Sequence, residues 1–222
     1  SRGETRLKAI GLFGPGAPSR VLCLGAHSDD IEIGCGATIL RLLDECPETH
    51  FTWVVFSATP ERELEARASA AAFLAGAKSA DVRVERFRES HFPWEGSRIK
   101  DHLAGLAREV DPELILTHWR GDNHQDHRTL SELTWNHFRD HFMLEYEIPK
   151  WDGDLGRPNA YVAASVARVD RKVELLLEHF ATQRGRPWFR EDTFRALLRI
   201  RGLECNATDG FAEAFYAHKF LL

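Results

Sequence analysis

A chain of 222 residues, 43% hydrophobic and 28% charged, has the composition of an ordinary soluble globular protein and the length of one large domain or two small ones. Its 29 basic and 34 acidic residues leave a formal net charge of -5, which offers no basic footprint for DNA or RNA. No run approaches the roughly 20 apolar residues of a membrane-spanning helix, and the start Ser1-Arg2-Gly3-Glu4-Thr5-Arg6 lacks a signal-peptide pattern, so no integral membrane segment is expected.

The first element is the apolar run Val21-Leu22-Cys23-Leu24, which reads as a buried strand opening into Ala26-His27-Ser28-Asp29-Asp30. A helix is expected over residues 37–43, and the aromatic and β-branched stretch 50–56 predicts a second strand. Residues 61–75, rich in alanine, glutamate and arginine between Pro60 and Gly76, predict a helix. Residues 82–84 read as a strand, 99–110 as a helix, 113–117 as a strand and 129–138 as a helix. Residues 145–161, interrupted by Pro149, Gly153, Gly156 and Pro158, read as a long ordered loop near the active site and a candidate substrate-contacting lid. Residues 170–183 return to helix, with Val173, Leu176, Leu177 and Phe180 at helical spacing and Asp170 as N-cap. This alternation predicts a single α/β domain over residues 1–222, a Rossmann-like three-layer fold with a mainly parallel sheet.

Two strand ends carry the chemistry. The first delivers His27, Asp29 and Asp30 together at the carboxyl end of a strand, where open α/β sheets bind their ligands. His27 and Asp30 supply a nitrogen and an oxygen suited to a divalent metal, and Asp29 between them offers a carboxylate for proton transfer or a helix N-cap. The second end follows Leu114-Ile115-Leu116 and presents His124-Gln125-Asp126-His127, two imidazoles around a carboxylate. Gly34 and Gly36 lack the third glycine of a dinucleotide fingerprint. The other histidines, His118 among them, read as surface or structural. Trp94, Trp119 and Trp151 suit either a sugar pocket or core packing, and residues 85–95 and the Trp151 loop are where specificity is expected. Cys23, Cys35, Cys46 and Cys205 form neither a CxxC pair nor a dense framework, which predicts free thiols and a cytoplasmic, reducing location.

AHSDDIEIGCG at 26–36 and HQDH at 124–127 resemble the two signatures, AHPDD and HxDH, of the PIG-L or LmbE-like zinc-dependent N-deacetylases. Arg62, Glu65 and residues 211–215 extend the likeness over most of the chain. The resemblance implies that His27, Asp30 and His127 bind Zn2+, with Fe2+ suited to the same donors. It implies Asp29 as general base, His124 facing the developing oxyanion or the departing amine, and Asp126 hydrogen-bonded to His124. The implied reaction releases acetate from a small-molecule N-acetylated amino sugar or glycoconjugate, with Arg62 as a substrate contact in place of an ordinary helix surface charge. Three departures stand out. Ser28 replaces the usual proline, Ala37 replaces the second glycine of a common pair, and Asp122 stands where some members carry an oxyanion-binding tyrosine. Asp122 is therefore expected near substrate hydroxyls or a cationic group, with Trp151 beside the substrate. The competing readings are a non-catalytic metal- or sugar-binding module and a metal-dependent phosphoesterase, and the oligomeric state is open.

Overall fold

Short apolar runs become the inner strands of one sheet, buried on both faces. The computed structural model describes residues 11–13 and 16–219. Seven strands, β1 (Arg20–Gly25), β2 (His50–Val55), β3 (Ser79–Val84), β4 (Leu114–His118), β5 (Met143–Tyr146), β6 (Ala160–Ala164) and β7 (Phe211–Ala217), lie in the order β3-β2-β1-β4-β5-β7-β6. The first five are parallel, while β7 runs antiparallel to both β5 and β6. Six α-helices accompany them: α1 (Asp30–Glu45), α2 (Pro60–Phe73), α3 (Phe92–Glu109), α4 (Gln125–His137), α5 (Val166–His179) and α6 (Glu191–Glu204).

Alternation along β1 divides the interior in two. Val21 and Cys23 join Trp53, Phe73 and Leu176 under α1, α2 and α5, whereas Leu22 and Leu24 join Phe56, Ile99, Leu103 and Leu130 under α3 and α4. The result is the expected three-layer, mainly parallel α/β fold. Because β1 leads into α1 on one face and its neighbour β4 into α4 on the other, a crevice opens between their carboxyl ends, the place where such sheets bind ligands.

Several boundaries differ from the sequence expectation. α3 begins at Phe92, with Pro93 in its first turn, and α4 begins at Gln125. α5 starts at Val166 because the Ser165 hydroxyl accepts the Arg168 N–H, which leaves Asp170 inside the helix. β5 and β6 take up both ends of the expected 145–161 loop, leaving the connection 147–159. α6 and β7 are additional elements, and β7 fills the place between β5 and β6.

The largest difference concerns α1, which begins at Asp30 and breaks at Cys35 (φ -143°, ψ 18°) instead of starting at residue 37. Its glycines serve close packing: a Cβ on Gly34 would lie 2.1 Å from the Tyr146 ring and one on Gly36 2.7 Å from the Phe73 ring. The break frees backbone groups that need partners. Glu213 on β7 accepts the N–H groups of Ala37 and Thr38 at 2.8 and 2.7 Å, and Lys172 on α5 donates to the Ile33 carbonyl and to Glu213, each at 2.6 Å. A buried ion pair thus splints the two halves, and the turn carrying Asp30 is seated separately. Among the described residues, no helix is long and apolar enough to cross a membrane.

Candidate active site

Three donor atoms converge in the β1–β4 crevice. His27 Nδ1 lies 3.1 Å from His127 Nε2 and 3.3 Å from Asp30 Oδ2, and the third side of the triangle, His127 Nε2 to Asp30 Oδ2, is 3.5 Å. Ligands about 2.0–2.1 Å from a tetrahedral zinc are separated by about 3.3 Å, so the triangle has the dimensions of one face of such a site. All three side chains are buried. Asp30 Oδ2 also accepts the His27 N–H at 2.7 Å, which locks the loop leaving β1.

Each imidazole of the triangle is oriented from behind. Asp122 Oδ2 meets His127 Nδ1 at 2.9 Å, and Asp126 Oδ2 meets His27 Nε2 at 3.2 Å while its carboxylate also accepts the Ser90 and Phe92 N–H groups. Such carboxylate–imidazole contacts fix the tautomer that presents a lone pair to a metal. The expected side-chain bond from Asp126 to His124 is not formed. His124 is instead the N-cap of α4 and its Nδ1 accepts the Asp126 N–H at 3.3 Å, which leaves Nε2 to carry the proton. Asp122 turns toward His127 and also accepts the His124 N–H at 2.7 Å.

Asp29 occupies the N-cap position of α1 but makes no side-chain capping bond. Its Oδ1 accepts from Arg62 Nη2 at 2.8 Å, and its Oδ2 is buried without a partner. Arg62 reaches inward from α2 to Asp29, with Glu89 3.9 Å away, instead of lying on the surface. Trp151 and Trp94 are exposed, while Trp119 stacks on Tyr216 at 4.5 Å.

The sequence reading places His118 among the structural histidines, outside the candidate site. Fully buried at the end of β4, it stacks on His127 at 3.9 Å, takes the Ala26 N–H on Nε2 at 3.0 Å and lies 3.2 Å from Asp30 Oδ2. The available signal was its place at a strand's carboxyl end. Donor atoms within 4.8 Å of one another also group as His27, His124 and His127, and as Asp30, His118 and His127.

The electrostatics match a cation site. Burial pulls the His27 imidazole down, but Asp30 and Asp126 outweigh it and push it up to about 10, so a cation at the triangle would take the place of a proton on Nδ1. Burial and His118 bring His127 to about 3, so this ring stays neutral. Burial opposes the charge on Asp30, yet His127, His118 and His27 hold its carboxyl well below the usual range. Burial raises the Asp29 carboxyl against the pull of Arg62, and burial followed by His27 lowers His124. His124 is therefore a neutral ring with its hydrogen on Nε2.

No curated protein sequence matches the chain. Among solved structures, N,N'-diacetylchitobiose deacetylase from Pyrococcus horikoshii is 19% identical, with a TM-score of 0.71 over 91% of this chain and 84% of that one. GalB, the 4-carboxy-2-hydroxymuconate hydratase of Pseudomonas putida KT2440, is 17% identical, with a TM-score of 0.72 over 92% and 98%. A deacetylase of teicoplanin biosynthesis is 14% identical, with a TM-score of 0.68 over 89% and 97%. These likenesses establish the fold, and the hydratase among them shows that the fold alone does not choose the reaction. The PIG-L family profile, described as GlcNAc-PI de-N-acetylase, matches residues 22–138, more than half of the chain and the segment holding the donor triangle, Asp29, His124 and Asp126. This chain belongs to the PIG-L family.

Proposed function

We propose that the chain is a metal-dependent amide hydrolase that removes the N-acetyl group from an acetylated amino sugar or glycoconjugate and releases acetate. The observation that carries this reading is the His27–Asp30–His127 triangle beside Asp29, whose Oδ2 is buried and free. Zn2+ suits the two nitrogens and one oxygen, and Fe2+ is compatible with them. A divalent ion bound there supplies Lewis-acid polarisation of the acetyl carbonyl and of an attacking water.

The side chains divide the remaining work. Asp29 Oδ2 accepts the proton of the attacking water, while Arg62 keeps Oδ1 fixed. His124 donates from Nε2 to the oxygen that becomes negative as the water oxygen bonds to the acyl carbon. Breaking the carbon–nitrogen bond then requires a proton on the departing amine, which Asp29 returns. Asp126 and Asp122 hold His27 and His127 in register. The four cysteines are buried free thiols, in keeping with a cytoplasmic location.

The test is acetate release from a panel of N-acetylated amino sugars by the zinc-loaded protein beside its Asp29→Ala variant. Release that depends on Asp29 supports the proposal. Hydration of an unsaturated acid or liberation of phosphate, with no acetate, overturns it.

A further inference from the structure

The connection 147–159 reaches into the back of the donor triangle through one side chain. Lys150 is nearly buried, with Nζ 2.9 Å from Asp122 Oδ1, 2.7 Å from Asp154 Oδ2 and 3.7 Å from Asp152 Oδ2. Asp122 in turn meets His127 Nδ1 with its other oxygen, and Asp154 Oδ2 accepts the Asn123 N–H at 2.7 Å. The turn 122–124 is therefore clasped from both its side chain and its backbone. The far end of the connection is fixed independently, where Arg201 donates to the Gly156 carbonyl and Asn159 to the Ala217 carbonyl.

A carboxylate as buried as Asp122 is costly unless compensated, and a neutral imidazole supplies a hydrogen bond but no charge. Lys150 is the cation within ion-pair distance of it among the described residues. Without that ammonium, Asp122 gains by turning toward solvent, which releases His127 to rotate or change tautomer. We propose that Lys150 is a positioning residue for the metal: by pinning Asp122 to His127 Nδ1 it keeps His127 Nε2 aimed at the donor triangle. This rests on His127 being a metal ligand. The acidic trio Asp122, Asp152 and Asp154, whose spacing alone suits a cation, is on this account the seat of the lysine ammonium.

Zinc affinity, measured by competition with a chromophoric chelator on the full chain, tests the assignment together with thermal unfolding of the metal-free protein. Lys150→Met is expected to weaken zinc binding about 10–100-fold, the usual effect of losing an outer-shell partner, and Lys150→Arg to recover most of it. Added to Asp122→Asn, Lys150→Met should cost nothing further, because the lysine acts through that carboxylate. If Lys150→Met does not fold, Lys150→Met/Asp154→Asn, which removes the second unpaired carboxylate, takes its place under the same criterion. A folded variant with wild-type zinc affinity, or a loss fully additive to that of Asp122→Asn, overturns the proposal. His127→Ala separates the two levels: if it binds zinc as tightly as wild type, the reading of the metal site has failed, whereas its loss beside an unaffected Lys150→Met rejects the role of Lys150 alone.

Discussion

Arg62 Nη2 lies 2.8 Å from Asp29 Oδ1, an ion pair joining α2 to the start of α1 across the mouth of the site. The guanidinium holds one oxygen of the carboxylate, and the other remains buried and unpartnered. A base so placed is oriented without being occupied.

Asp29→Asn removes the base while keeping its shape. We expect kcat for acetate release to fall about 10²–10⁴-fold, with zinc content unchanged because Asp29 is outside the donor triangle. Metal analysis on the protein used for the rate measurement checks both halves. A fully active variant would assign proton transfer elsewhere.

Arg62→Gln probes the orienting partner. A charge-assisted hydrogen bond is worth about 1.5–3 kcal/mol, so kcat should drop roughly 10–100-fold while KM changes little. The opposite pattern, a raised KM at constant kcat, would place Arg62 on the substrate.

Removal of metal by a chelator should abolish acetate release, and one equivalent of zinc per chain should restore it. His27→Ala and Asp30→Ala should each prevent that recovery, since each deletes a corner of the triangle. Retention of two ions per chain in an active protein would instead favour the two-metal chemistry of phosphoesterases.

Glu32 gives stability a pH dependence of predictable sign. It is fully buried, and burial, opposed by the neighbouring Ser69 hydroxyl and reinforced by Asp29 and Asp30, pushes its carboxyl well above the usual range. The folded state therefore keeps a proton that the unfolded chain releases near about pH 4.3. Between that pH and the folded value, stability falls as pH rises, by up to about 1.4 kcal/mol per unit. Metal-free Glu32→Gln should match wild type at about pH 4 and exceed it increasingly as the pH rises above the unfolded value in urea unfolding. Parallel stability curves would show that Glu32 is ionised in the folded protein.

Lys172→Met and Glu213→Gln each break the splint of α1. Removing one partner of a buried pair costs about 3–5 kcal/mol, and the double variant should lose less than the two single losses together, because neither charge is then left alone. Urea unfolding of the four proteins measures this coupling, and strictly additive losses would deny it.

Local patterns in the chain carried the parallel strands, the strand-end clusters at His27–Asp30 and His124–His127, and the three-layer arrangement. What escaped was non-local. Glycines normally mark a helix boundary, so Gly34 and Gly36 hid the start of α1, and only Tyr146 and Phe73 explain their place inside it. Asp126 is 99 residues from its partner His27, and Lys172 is 139 residues from the carbonyl it satisfies. The buried Glu213 interrupts the apolar character of β7, which then inserts between two strands that precede it. α6 had usable signals, acids in its first turn and Phe194 and Leu198 four residues apart.

The splint also fixes when the site can exist during synthesis. Every donor of the triangle has left the ribosome once residue 127 has emerged, yet the carboxylate that caps the second half of α1 lies in the final strand. The nascent chain thus carries its full set of metal-seeking side chains while the segment between His127 and the strand bearing Glu213 is still being made, so metal capture in its final form waits for that strand to dock and seat their geometry.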